Sequence, residues 1–212
     1  MVSWLISIKR KFPWLWRAVE SVNGAFFHLR HRDIRQIAET VLLETSPSGY
    51  KFSLAVEDDA CSLSLFLAGQ PEESFRYFRP HRFDEKTLRR IIKGYSYLVM
   101  KVTDAVSGEI NGYFFLRCFC DNRAFAGLLV DNEIRNKGVG TSIWTACSNI
   151  CQRLGIRMFA TIDEKNLPSL RSCDKGTDIV TKERLSGDYI LVECKTKDNK
   201  KDNINKIISP VL

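Results

Sequence analysis

The spacing of apolar and polar residues changes several times along this chain, and each change marks a different kind of element. Between Ser3 and Leu29, the rings of Trp4, Phe12, Trp14, Trp16, Phe26 and Phe27 are interleaved with Lys9, Arg10, Lys11, Arg17 and Arg30. Pro13 suits a first helical turn, where its missing N–H would have had no partner anyway. The run Trp14, Leu15, Ala18, Val22 predicts a helix that stops near Asn23-Gly24. From Tyr50 onward the elements shorten. Residues 52–56 and 62–67 read as strand-like runs, and 71–94 carries the helix formers of 85–92. Residues 95–103, 112–120 and 124–130 are rich in β-branched and aromatic side chains and are separated by turn-forming stretches at 104–108 and Asp121-Asn122. They predict an antiparallel meander.

The next unit is different. Ile143, Cys147, Ile150, Cys151 and Leu154 recur at helical spacing and end at Gly155, a C-capping residue that leads directly into the apolar run 156–162. Strand, loop, helix, strand is a crossover unit, so these two strands are expected to be parallel. A short helix is expected over 168–175. The runs 177–183 and 189–193, joined through Ser186-Gly187-Asp188, would close the sheet as a hairpin.

Composition narrows the classes of function. With 44% apolar and 27% charged residues in 212, the chain has the balance of a globular protein able to bury a core. No apolar run reaches the about eighteen residues that span a bilayer. The net charge of +7 is unevenly placed: residues 1–35 carry seven Lys/Arg against Glu20 and Asp33, and the remainder is close to neutral. A nucleic-acid partner is therefore not expected. A basic helix with aromatics on one side can lie in an anionic membrane surface, while the same rings could instead dock on the domain or on a partner subunit. A smaller basic cluster spans 195–206. The seven cysteines follow no secretory signal, because Lys9, Arg10 and Lys11 interrupt the short apolar start. Reduced thiols in a cytoplasmic protein are the expectation, with peripheral contact at the inner face of a membrane an added one. The cysteine spacing fits no zinc site, and no metal is expected.

The chemistry lies in Arg135-Asn136-Lys137-Gly138-Val139-Gly140, between the strand ending at Val130 and the helix that follows. Two glycines let the backbone curl with its N–H groups inward, and the helix adds its positive dipole end, which together make a seat for phosphate. The spacing is neither that of a Walker loop nor that of a dinucleotide fingerprint.

At these residues the chain resembles the GNAT superfamily of acyl-CoA-dependent N-acetyltransferases, over about 95–194, with 50–94 matching that family's variable front half. The resemblance implies an α/β mixed sheet, largely an antiparallel meander, whose central parallel pair splays around acetyl-CoA, with an N-terminal helical extension. It divides the chain into 1–45, a domain of 46–195 and a tail of 196–212. The pyrophosphate would rest on Arg135, Asn136, Lys137, Gly138, Val139, Gly140 and Thr141. Leu129 and Val130 would hold the thioester carbonyl and the pantetheine arm by main-chain hydrogen bonds. Asn166 and Ser169 match the family's Asn-x-x-Ala/Ser pattern beside that arm. One departure concerns the acid that protonates the leaving thiolate: the position seven residues after Asn166, a Tyr in many members, is Cys173 here, whose thiol could donate the proton in the Tyr's place or simply pack, and the following Gly176-Thr177 also differs from the usual pattern.

A base must take a proton from the acceptor's ammonium group. His81 is the leading candidate because the front half shapes the acceptor pocket in this family; Glu72, Glu73 and Asp131 follow, and His28 and His31 are expected at the surface. Arg76, Arg79, Arg82, Arg89 and Arg90 crowd the same side, which suits an anionic small-molecule amine such as a nucleotide-activated amino sugar of surface polysaccharide synthesis. The alternative is a solvated helix face, given the acidic residues among them. An oligomer is compatible with the sequence. The rival reading is a non-catalytic module that keeps the fold, binds CoA and docks on a membrane or partner.

Overall fold

The structure is a computed structural model and describes residues 13–197, with side chains from residue 18 onward. The expectations placed on Trp4, Lys9, Arg10, Lys11 and Phe12, on the side chains of Trp14, Trp16 and Arg17, and on the basic cluster beyond residue 197 lie outside the described residues.

In chain order the elements are α1 (Pro13–Arg30), α2 (Ile34–Thr45), β1 (Tyr50–Leu54), α3 (Asp59–Ala68), a 3₁₀ turn (Glu72–Phe75), α4 (Glu85–Lys93), β2 (Tyr97–Asp104), β3 (Ile110–Phe119), β4 (Arg123–Val130), a second 3₁₀ turn (Asn132–Ile134), α5 (Val139–Arg153), β5 (Arg157–Asp163), α6 (Leu167–Gly176), β6 (Thr177–Arg184) and β7 (Tyr189–Thr196). The seven strands form one sheet in the order β1-β2-β3-β4-β5-β7-β6. All neighbours are antiparallel except β4 and β5, which are parallel as the crossover through α5 requires.

Tyr113, Phe114, Phe115 and Leu116 are four consecutive buried residues of β3, so both faces of the sheet are covered there. On one face, Phe27 of α1, Ile34, Ala38, Val41 and Leu42 of α2, and Ile143, Cys147 and Ile150 of α5 share a cluster with Phe114 and Leu116. On the other, Ala60, Leu63 and Leu67 of α3 and Leu88, Ile91 and Ile92 of α4 pack with Tyr113 and Phe115.

Two local expectations are corrected. Residues 62–67 form the body of α3 rather than a strand. Leu63 and Leu67 are one helical turn apart and both buried, a pairing that a short apolar run does not reveal by itself. The first helix does not stop at Asn23-Gly24 but continues to Arg30. Gly24 is there for close approach: a Cβ at this position would lie 2.8 Å from Ser96 Oγ. The Asn23 side chain ties the helix to β3, donating from Nδ2 to the Cys118 carbonyl at 3.0 Å and accepting from the Cys120 N–H at 2.9 Å. Helix α2, with its buried stripe Ile34, Ala38, Val41 and Leu42, adds an element that the sequence pattern did not resolve.

Candidate active site

Strands β4 and β5 pair only through Arg123 with Arg157, Ala124 with Met158 and Phe125 with Phe159. Both strands continue, to Val130 and Asp163, without pairing further. A wedge therefore opens between 126–130 and 160–163.

The orientation of the backbone within that wedge follows from parity. The Asp131 N–H donates to the Asn111 carbonyl at 2.8 Å, and a Cβ at Gly112 would lie 3.4 Å from the Leu129 carbonyl oxygen, so Leu129 and Asp131 direct their peptide groups at β3. Alternate residues of a strand turn their N–H and C=O to opposite edges. Ala126, Leu128 and Val130 consequently aim theirs into the wedge. Of the two residues expected to hold the thioester and its arm, Val130 presents its main chain there; Leu129 is occupied by β3 and has a side chain buried with the α3/α4 layer.

The wedge ends at the curled loop. Asn136 and Gly138 have φ of 65° and 83°, both left-handed. Gly138 is the N-cap of α5, a position where it offers no side chain, so the first N–H groups of the helix, from Val139 through Thr141, remain for a ligand. No atom lies within 4 Å of where a Cβ on Gly138 would project. Gly140 does a different job. A Cβ there would meet Ser172 Cβ at 3.6 Å, an ordinary van der Waals contact, which shows that α6 lies against the first turn of α5. Lys137 and Arg135 are exposed, and the Arg135 guanidinium donates to Ser74 Oγ at 3.0 Å, linking the loop to the 3₁₀ turn of the front half.

Asn166 is the N-cap of α6 and its Oδ1 accepts the Ser169 N–H at 3.3 Å, so these two residues form one local unit at the far wall, with the Asn166 Nδ2 as the remaining donor. This set of backbone donors, a left-handed glycine at a helix mouth and an amide donor opposite fits a diphosphate ester carrying a long amide arm.

The front half beside the wedge is aromatic. Phe78, Phe83, Tyr97, Tyr113 and Phe115 make a continuous set of ring contacts, with His81 among them. Gly127, in the wedge wall, is what lets two of these rings approach: a Cβ would lie 2.6 Å from Phe115 Cζ and 3.1 Å from Phe78 Cε2. The aromatic residues around Gly127 were not singled out from sequence, because a loop ring and a strand ring 37 residues apart, as Phe78 and Phe115 are, carry no local signal of their meeting.

Both expected catalytic side chains, His81 and Cys173, are held by hydrogen bonds within the fold. His81 Nδ1 lies 2.8 Å from the Arg82 carbonyl oxygen and must donate to it, which leaves Nε2 to accept from the Tyr113 hydroxyl, also at 2.8 Å. Both nitrogens are engaged within the fold, and His81 forms part of the aromatic wall. Cys173 is 0% exposed, with its Sγ 3.5 Å from both Cys194 Sγ and Thr177 Oγ1. The hydrogen bond with Cys194 favours the Cys173 thiolate and in return holds the Cys194 thiol far above its ordinary value. The thiol is directed into the core and is not presented to a leaving group. Glu72 is ion-paired with Arg79, and Glu73 is exposed. Asp131 accepts from Gln70 Nε2 and from the Glu133 N–H, both at 2.8 Å. His28 is half-buried, stacked on Tyr95, and His31 is buried. Of the five arginines, Arg79, Arg82 and Arg89 are paired with Glu72, Asp84 and Glu85.

Comparison with known proteins identifies the family and the fold. The sequence profile of the Acetyltransferase (GNAT) family matches residues 64–175, just over half of the chain. No curated protein matches it. Among solved structures, the GNAT domain of S. lividans PAT superposes with a TM-score of 0.59 at 18% identity, over 68% of this chain and 89% of that one. The ribosomal-protein-S5-alanine acetyltransferase from Vibrio fischeri gives 0.58 at 14%, over 73% and 96%. RimL, a ribosomal L7/L12 α-N-protein acetyltransferase in complex with coenzyme A, gives 0.58 at 13%, over 72% and 96%. At these identities the structures speak for the shared fold.

Proposed function

We infer the acceptor and the residue roles from a premise now established, that the chain belongs to the GNAT acetyltransferase family and is an acyl-CoA-dependent N-acetyltransferase using acetyl-CoA. We propose that the acceptor is the primary amine of a small anionic molecule, with a nucleotide-activated amino sugar of surface polysaccharide synthesis as the leading class. The observation that carries the site assignment is the divergence of β4 from β5 beyond Phe125 and Phe159, ending at the left-handed Gly138.

In this reading the main chain of Ala126, Leu128 and Val130 positions the acyl donor along the wedge, and the N–H groups of Val139, Gly140 and Thr141 hold its diphosphate, with Lys137 adding charge. Asn166 contributes Nδ2 to the arm. The reaction asks for a neutral amine, alignment and donors toward the developing oxyanion. The main-chain N–H groups facing the wedge supply those donors. The ammonium proton leaves to water at the open acceptor side, since His81 is engaged at both nitrogens. The half-buried ring of Phe78 beside Gly127 offers a stacking surface for a sugar or base, and Arg76 and Arg90, whose guanidinium groups carry no ion pair among the described residues, supply positive charge.

The test is thiol release from acetyl-CoA with a panel of amines. Turnover with nucleotide-activated amino sugars well above that with polyamines and peptide N-termini is expected. Preference for polyamines or peptides would overturn the acceptor class, and tight CoA binding with no turnover for any amine would favour the non-catalytic module.

A further inference from the structure

The outward face of α1 is apolar. At 100° per residue, Ala25, Ala18, Leu29, Val22, Phe26 and Val19 fall on one arc of about 120°, and every one of them is exposed. Val19, Val22, Phe26 and Leu29 are 53%, 56%, 63% and 61% exposed and make up four of the twelve large apolar residues exposed among the described residues. A surface helix ordinarily turns this face inward. Here the inward face is different: Phe27 is buried, Asn23 bonds Cys118 and Cys120, and Glu20 pairs with Arg117 at 2.8 Å. Arg30 adds a bond from Nη1 to the Cys120 carbonyl at 2.9 Å. The helix is thus fastened to the domain by one side and offers the other to an occupant.

Charge selects the occupant. Residues 1–35 carry seven Lys/Arg against Glu20 and Asp33, and Arg32 and Arg35 are exposed just beyond the end of the helix. A second copy seated on this face would bring two such basic segments together, whereas an anionic lipid surface complements them. We propose that α1 lies in the headgroup region of an anionic bilayer, with Val19, Val22, Phe26 and Leu29 in contact with the acyl chains and the flanking arginines among the headgroups. The register supports the orientation. α1 is fastened to the Cys118–Cys120 end of β3, which pairs with the start of β4 through Phe119 and Arg123, the opposite end of that strand from the loop 135–140. A membrane beneath α1 therefore leaves the mouth of the acyl-donor site facing water. No helix among the described residues is long and apolar enough to cross the bilayer, so the association is interfacial.

The experiment is co-sedimentation of the full chain with vesicles of phosphatidylcholine alone or mixed with phosphatidylglycerol. Binding only to the mixed vesicles, weakened by salt, is expected. The double variant Val22→Gln/Phe26→Gln keeps the net charge, so a fall in bound fraction of at least roughly tenfold isolates the apolar arc. Phe26→Trp is expected to retain binding and to show quenching by brominated lipid beyond that of the parent chain. Failure of the parent chain to bind mixed vesicles, undiminished binding of the glutamine variant at an unchanged melting temperature, or a Phe26→Trp chain that binds without added quenching would overturn the proposal. A parent dimer in analytical ultracentrifugation that the glutamine variant dissociates would assign the face to a second copy instead.

Discussion

His81 Nε2 lies 2.8 Å from the hydroxyl oxygen of Tyr113, a side chain with no exposed surface, while the other ring nitrogen is held by the Arg82 carbonyl. Burial lowers the His81 pKa below its ordinary 6.5, ahead of smaller effects from Arg90 and Arg117. A neutral imidazole locked at both ends keeps the loop 76–84 against the sheet.

The rate of acetyl transfer in His81→Gln should therefore keep the shape of the parent pH profile, with stability as the property that changes. Because the unfolded chain takes up a proton near pH 6.5 and the folded chain resists it, the parent loses stability as pH falls below about 6.5, until folded His81 itself protonates. His81→Gln should lack that component. Urea unfolding and kcat/KM across pH 5–8 check both; disappearance of an acidic limb from the rate profile of the variant would restore His81 as a base.

Gly138 and Gly176 should fail differently. Gly138→Ala meets open space but a left-handed φ of 83°, a backbone cost of about 1–2 kcal/mol, and should weaken CoA binding at the same time. At Gly176 a Cβ would lie 2.6 Å from the Thr141 carbonyl oxygen and 2.9 Å from Trp144 Cβ. Gly176→Ala should force α5 and α6 apart at a cost of roughly 1–3 kcal/mol or more. Chemical denaturation with CoA titration separates the two, and an unchanged CoA affinity in Gly138→Ala would remove the loop from the site.

Glu193, 6% exposed on β7, has its pKa pulled down to about 2 by its hydrogen bond from Arg157 and then by that from Lys182. The stabilisation is present above the unfolded value of 4.5 and is lost as pH falls from there toward about 2. Its exposed partners limit it to on the order of 1–2 kcal/mol. The melting temperature of Glu193→Gln should be lower than the parent's at pH 7, and the difference should shrink toward pH 2; a constant difference would contradict the linkage.

Cys173→Ala should leave kcat within about threefold, because the thiol is directed at Cys194 and Thr177, while removing a packed sulfur should lower stability by about 1 kcal/mol. A loss of kcat of a hundredfold with intact CoA binding would reinstate the thiol as the acid.

Much of the fold was legible because its signals are local. The β-branched and aromatic runs of β2, β3 and β4, the helical stripe Ile143, Cys147, Ile150 and Cys151, and the two glycines after Lys137 each occupy one continuous segment, and together they specified the meander, the crossover and the phosphate seat. The run 62–67 misled for a related reason: six apolar and small residues fit either period until something packs on them, and Leu63 and Leu67 are buried together only because α3 lies on Tyr113 and Phe115.

The sequence by itself determined the meander strands, the crossover helix with its parallel pair and the chemistry that a curled glycine loop at a helix mouth can offer. The tertiary structure alone decided which peptide groups of β4 face the wedge, that His81 meets Tyr113 and Cys173 meets Cys194, and that the apolar arc of α1 points away from the core. Those outcomes depend on partners distant in sequence, 32 residues apart for His81 and Tyr113 and 21 for Cys173 and Cys194. A side chain's protonation and availability are set by such neighbours, which no local spacing encodes.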